Sequence, residues 1–98
     1  MAAEDQATSP RAVVTVLGSD RSGIVASVTG VLARHDVNIL DISQTILQGV
    51  FTMTMIVDLG PSSTGFAELK GELDQLSGEL GVQITFQRED VFRYMYRL

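Results

Sequence analysis

The sequence predicts an α+β sandwich, with a four-stranded antiparallel sheet, two helices on one face and a short helical tail after the last strand. Three observations lead there. Apolar residues recur at three- and four-residue spacing in two stretches, and as alternating or β-branched runs in four others. The two middle extended runs are separated only by Gln48-Gly49, a hairpin signal. Each half of the chain therefore reads strand, helix, strand, and right-handed crossovers put both helices on one side. The order β-α-β-β-α-β with strands arranged 4-1-3-2 is the ferredoxin-like sandwich.

Residues 1–10 are polar, end at Pro10 and read as a flexible tail. Ala12 to Leu17 is apolar on both parities, as a central strand covered on each side requires, and it is expected to stop at Gly18. Ile24, Val25, Val28, Val31 and Leu32 form one face of a first helix running from about Ser22 to about His35, with Asp20 or Ser22 available to cap it. Asp36 to Leu47 is the second strand, with Leu40, Ile42 and Ile46 on one face and Asp41, Ser43 and Thr45 on the other. In the third strand Phe51, Met53, Met55 and Val57 alternate with Thr52 and Thr54, and Gly60-Pro61-Ser62-Ser63 ends it.

A second helix carries Phe66, Leu69, Leu73, Leu76 and Leu80 on its stripe, with Gly81 placed to cap its C-terminus. Val82, Ile84 and Phe86 then alternate with Gln83, Thr85 and Gln87 in the fourth strand. The expected helix-facing side collects Val14, Val16, Leu40, Ile42, Phe51, Met53, Met55, Val82, Ile84 and Phe86. The opposite face is rich in Thr, with only Val13 and Leu17 strongly apolar. Residues 89–98 are surplus to this architecture. Val91, Phe92, Met95 and Leu98 recur at helical spacing, and the segment holds three of the six aromatics. It is expected to pack on the open sheet face or on a partner subunit.

Composition excludes several functions. The chain of 98 residues has no cysteine, so disulfides, thiol nucleophiles and cysteine-based zinc sites are out. Seven basic against twelve acidic residues give a net charge of −5, the wrong sign for a phosphate backbone. No run approaches the ~20 apolar residues of a membrane helix and no leader pattern opens the chain, so the expected location is cytoplasmic. Met53 and Met55 read as core, and Asp41 and Asp58 as strand carboxylates without metal-ligand spacing, so neither metal nor cofactor is expected. His35, the one histidine, reads as a helix-end or surface residue. Lys70 sits among Glu68, Glu72 and Asp74 and reads as local neutralisation.

The turn from Gly18 to Ile24 is the main candidate for chemistry. Gly23 before a helix leaves backbone N–H groups open to a carboxylate or phosphate, and Arg21 can add a two-pronged contact. The same residues equally suit a turn that binds nothing, with Asp20 acting only as a cap.

At this turn the sequence resembles the ACT domain. The stretch VTVLGSDRSGIVASVTGVLARHDVNILDISQTI carries a first strand, an Asp-Arg-Pro-Gly-like turn, a helix and an Asn-Ile pair opening the second strand. VFTMTMIVDL and the ending EDVFRYMYRL are similar to a branch of stand-alone ACT proteins of uncharacterised function. The resemblance implies an ACT domain over residues 11–88, followed by a C-terminal packing segment over 89–98. ACT domains bind amino acids or other small ligands, usually at a dimer interface, and regulate an enzyme. By that resemblance Asp20, Gly23 and Ile24 match the ligand-facing turn and Asn38 and Ile39 face it from the second strand, and Arg21 and Ser22, lying within the turn, complete the candidate ligand-binding set. Ser22 stands where the family has Pro.

Three functions remain to be weighed. The first is a regulatory small-molecule binding module, its ligand an amino acid, that acts as a homodimer and influences a partner enzyme or protein. A ligand-free interaction scaffold is the second. An enzyme is the third, and the sequence speaks against it because His35 has no evident orienting partner and no nucleophile with an adjacent base is apparent, so no catalytic residue is assigned.

Overall fold

The computed structural model describes residues 10–19 and 22–95. Four strands, β1 (Arg11–Ser19), β2 (Asn38–Leu47), β3 (Val50–Asp58) and β4 (Gln83–Arg88), form one antiparallel sheet in the order β2-β3-β1-β4. Helices α1 (Ile24–Arg34) and α2 (Phe66–Leu80) complete the two crossovers, and a short helix α3 (Glu89–Met95) follows β4 directly. This is the predicted topology, with the predicted strand order.

Burial explains why these elements form. Ala12, Val14 and Val16 of β1, Phe51, Met53, Met55 and Val57 of β3, and Ile84 and Phe86 of β4 are buried together with Ile24, Val28, Val31 and Leu32 of α1 and Leu69 and Leu73 of α2. Each buried aliphatic or aromatic side chain of this size contributes roughly 1.5–3 kcal/mol. At the β4 edge Phe66 stacks on Phe86, with ring centroids 4.5 Å apart, and the Arg88 guanidinium lies 4.7 Å from the Phe66 centroid. The β2–β3 turn has both central residues left-handed, Gln48 at φ 53° and Gly49 at φ 80°, the primed geometry whose twist matches a hairpin.

Five expectations need correction. β1 continues through Gly18 to Ser19, because Gly18 still pairs with Phe51. α1 starts at Ile24 and β2 at Asn38, because His35 and Asp36 form the helix-ending turn, with Asp36 left-handed at φ 59°. Leu40 does not face the helices. A bulge between Ile39 and Asp41 places Ile39 opposite Val57 and Asp41 opposite Ile56, which leaves Leu40 without a ladder position. Ile42 does keep the helix-side register, opposite Met55, yet it is exposed, because β2 is an edge strand that the helix layer does not reach.

The tail forms α3 and lies on the open face. Phe92 is half-buried there, Val13 beneath is buried, and Glu89 bridges Arg11 of β1 and Arg93 of α3 at 3.0 Å each. Val91 and Tyr94 are exposed, and Met95, although exposed, accepts from Gln87 Nε2 of β4 at 3.3 Å. Leu98 of the predicted stripe lies outside the described residues.

Candidate functional site

The β1–α1 turn is built on a close approach. A Cβ at Gly18 would stand 2.7 Å from Val82 Cγ1 and 3.2 Å from Val82 Cα, so only glycine lets the end of β1 lie against the start of β4. Val82 is itself fixed, since Gly81 (φ 70°) and Val82 both donate to the Ser77 carbonyl in the cap of α2, while Ser77 Oγ donates to the Val82 carbonyl. Gly23 occupies the N-cap of α1 with φ 90°. That conformation favours glycine, and nothing lies within 4 Å of where a side chain would project.

The first α1 bond runs from Ser27 N to Gly23 O at 2.9 Å. The N–H groups of Ile24, Val25 and Ala26 therefore have no acceptor within the helix. The cap residue offers no side-chain bond and the first turn contains no acidic residue. Among the described residues no side chain caps these groups, and the positively polarised backbone corner is suited to a small anion. Ser22 and Gly23 are exposed and Ile24 is buried, its side chain anchoring the helix start in the core. Asp20 and Arg21 lie outside the described residues.

Asn38 and Ile39 are not beside this corner in one protomer. Asn38 pairs with Asp58, and Asp58 pairs with Arg11, so both lie at the end of the sheet where β1 begins. The turn follows Ser19, which pairs with Val50 at the opposite end. Nine residue steps along β2 put ~30 Å between the two groups. Asn38 is exposed and Ile39 half-buried against the core.

β2 itself is the exposed feature the strand pattern did not announce. Of its ten residues only Ile39 is even partly buried, and Leu40, Ile42, Ile46, Leu47 and the adjoining Val50 are 42% to 69% exposed. Their apolar character resembled a core strand. The available clue was position, since the second strand is an edge in the 4-1-3-2 order.

His35 has partners that sequence reasoning missed. Its Nδ1 lies 2.7 Å from Thr64 Oγ1, and its Nε2 lies 2.6 Å from Glu72 Oε2. Glu72 Oε1 also accepts from Arg34 at 3.2 Å. The histidine thus ties the C-terminus of α1 to α2 and to the loop before it. Lys70 pairs with Asp74 at 3.1 Å, one helical turn on. Asp41 and Asp58 accept bonds from the backbone N–H of Ile42 and Gly60, at 2.9 Å each. Among the described residues no group of three or more His, Asp or Glu side chains is placed to hold a metal, and no helix is long and apolar enough to cross a membrane.

A four-stranded antiparallel sheet with two crossover helices on one face defines the class of ferredoxin-like sandwich domains. The family follows from comparison: the ACT domain profile matches residues 11–87, and the chain belongs to the ACT domain family. A UPF0237 protein of Methanocaldococcus jannaschii is 52% identical over 88 residues, covering 90% of this chain and 98% of its own length. Another, of Methanopyrus kandleri, is 51% identical over 88 residues with the same coverage. Among solved structures, an ACT domain protein from Streptococcus pneumoniae superposes with a TM-score of 0.75 at 39% identity, covering 91% of this chain and all of that one.

Proposed function

We propose that this protein is a regulatory homodimer that binds a small carboxylate, of the amino-acid class, in two composite sites, and so influences a partner enzyme or protein without catalysing a reaction. ACT domains are commonly regulatory ligand-binding modules. The observation that carries the reading is the separation of the two halves of the matching site, with Gly23 and Ile24 at one end of the sheet and Asn38 and Ile39 at the other. Antiparallel pairing of β2 with the partner's β2 resolves it. With the two-fold axis near Ile42 and Ser43, the partner's Asn38 comes beside Leu47, which pairs with Val50, which pairs with Ser19 just before the turn. The same pairing covers the exposed apolar edge, which a lone protomer leaves in water.

In this arrangement the ligand carboxylate accepts from the free α1 N–H groups, and the partner's Asn38 supplies an amide that both donates and accepts. Each dimer has two such sites. The test is subunit complementation read by calorimetric titration of amino acids. Gly23→Asp places a carboxylate in the anion's position, and Asn38→Ala removes the amide, so each homodimer loses tight binding. A mixed dimer has one site carrying both changes and one carrying neither, so mixing should restore half a site per protomer pair relative to the wild type's two. No recovery on mixing would show that turn and amide belong to the same protomer's site or to none. Absence of any ligand for the wild type would leave a scaffold as the better reading.

A further inference from the structure

We infer that the cleft between α1 and α2 is a second ligand site, separate from the turn, that takes a small ω-amino acid: a carboxylate and a primary ammonium joined by a short methylene chain. The cleft has a volume of about 330 Å³, within the range of small-molecule sites. Its walls are two helical stripes, Ser27, Val31 and Arg34 on α1 and Glu72, Leu76 and Glu79 on α2. Each helix runs against its preceding strand, and β1 and β3 are antiparallel, so the two helices are antiparallel as well. Arg34 therefore faces Glu72 at one end, and Ser27 lies toward Glu79 at the other.

The charges at the two ends differ. Arg34 spends one terminal nitrogen on Glu72, at 3.2 Å, and its side chain is 65% exposed, so the rest of its fork of N–H donors points to the cleft and solvent. Glu72 is already committed, to Arg34 and to His35. Glu79 has no cationic partner among the described residues, and its recorded contact is a long one from Gln75 Nε2 at 3.5 Å. Between the ends lie Val31, which is buried, and Leu76, which is partly buried, so the middle of the cleft is apolar. A carboxylate fits the Arg34 end, an ammonium fits the Glu79 end, and methylenes fit the floor.

Spacing selects the length. Glu72 and Glu79 are seven residues apart, ~10 Å along the axis, so the charges at the two ends of the cleft are several methylenes apart. The carboxylate and ammonium of an α-amino acid share one carbon and cannot reach both ends, whereas 5-aminopentanoate spans them. The turn site sets no requirement on chain length, so the two sites have different ligand requirements.

The test is a titration of ¹⁵N-labelled protein with 5-aminopentanoate, followed by amide chemical shifts. Shifts are expected at Ser27, Val31, Gln75 and Glu79, and unchanged affinity in Gly23→Asp. Glu79→Gln should weaken binding at least about tenfold, the scale of one charge-assisted hydrogen bond, and Glu79→Asp should recover part of it. Pentanoate, lacking the ammonium, should bind wild type and Glu79→Gln equally weakly. Shifts confined to Gly23, Ile24 and Asn38, equal affinity in wild type and Glu79→Gln, or no shifts up to tens of millimolar ligand would each overturn the inference.

Discussion

Replacing Ile46 by lysine should break the dimer while leaving the protomer folded. Ile46 lies opposite Phe51 on the helix side of β2, yet it is 58% exposed because no helix covers it. That fraction corresponds to ~100 Å² of apolar surface, worth about 2.5 kcal/mol if association removed all of it from water. The two-fold axis counts the residue twice, which sets an upper figure near 5 kcal/mol. Area converts incompletely into affinity, so half of that is the better expectation, and half of it is about a hundredfold in Kd. Lysine on an edge strand costs the protomer little, since surface substitutions stay within about 0.5 kcal/mol and edge lysines are a common guard against strand pairing. Light scattering across the micromolar range reads the mass and thermal melting at low concentration reads the protomer. A wild-type protein that is monomeric throughout, or a variant that dimerises as tightly as wild type, refutes the β2 edge as the interface.

Gly18→Ala should lower stability by roughly 1–2 kcal/mol, because overpacking against Val82 outweighs the ~0.5–1 kcal/mol that alanine gains over glycine in a strand, and a neutral or raised melting temperature would count against the close approach. Gln48→Asn should raise stability by about 0.5 kcal/mol in urea denaturation, since Asn tolerates the left-handed φ of 53° that Gln adopts at a cost, and a loss would mean the Gln48 side chain is used elsewhere. Deleting residues 91–98 removes Phe92 from above Val13 and should cost at least ~2 kcal/mol, whereas an unchanged melting curve would show that α3 adds nothing to the fold.

The layered architecture was legible because local signals agreed with one another. The heptad-like spacing in Leu69, Leu73 and Leu76, the alternation in Met53, Met55 and Val57, and the Gln48-Gly49 turn each allow one element type, and a strand-helix-strand duplicate allows few topologies. β2 was misread for a physical reason. Apolar alternation reports that a face avoids water, not whether the covering surface belongs to the same chain, so Leu40 and Ile42 looked like core when they are exposed edge-strand residues. The bulge at Leu40 was hidden as well, since an unpaired residue in a strand leaves no mark on a sequence whose neighbours are also apolar.

His35 shows the complementary failure. Its partners Thr64 and Glu72 are 29 and 37 residues away, and neither periodicity nor charge pattern brings residues at that separation together. Only the antiparallel placement of α1 and α2 does. That same placement sets Arg34 against Glu72 and leaves Glu79, at the far end of the cleft, without a cationic partner among the described residues. His35, expected to have no orienting partner, therefore has one on each ring nitrogen. The His35 ring is engaged on both nitrogens and serves to fix the corner from which Val37 and Asn38 lead into β2. A corner held this way delivers Asn38 to the sheet end in one orientation, and in a two-fold dimer that orientation is what a ligand at the partner's turn would meet. Loosening it by His35→Ala should therefore weaken binding at the composite site with the dimer mass unchanged, and binding of wild-type strength in that variant would confine His35 to joining the helices.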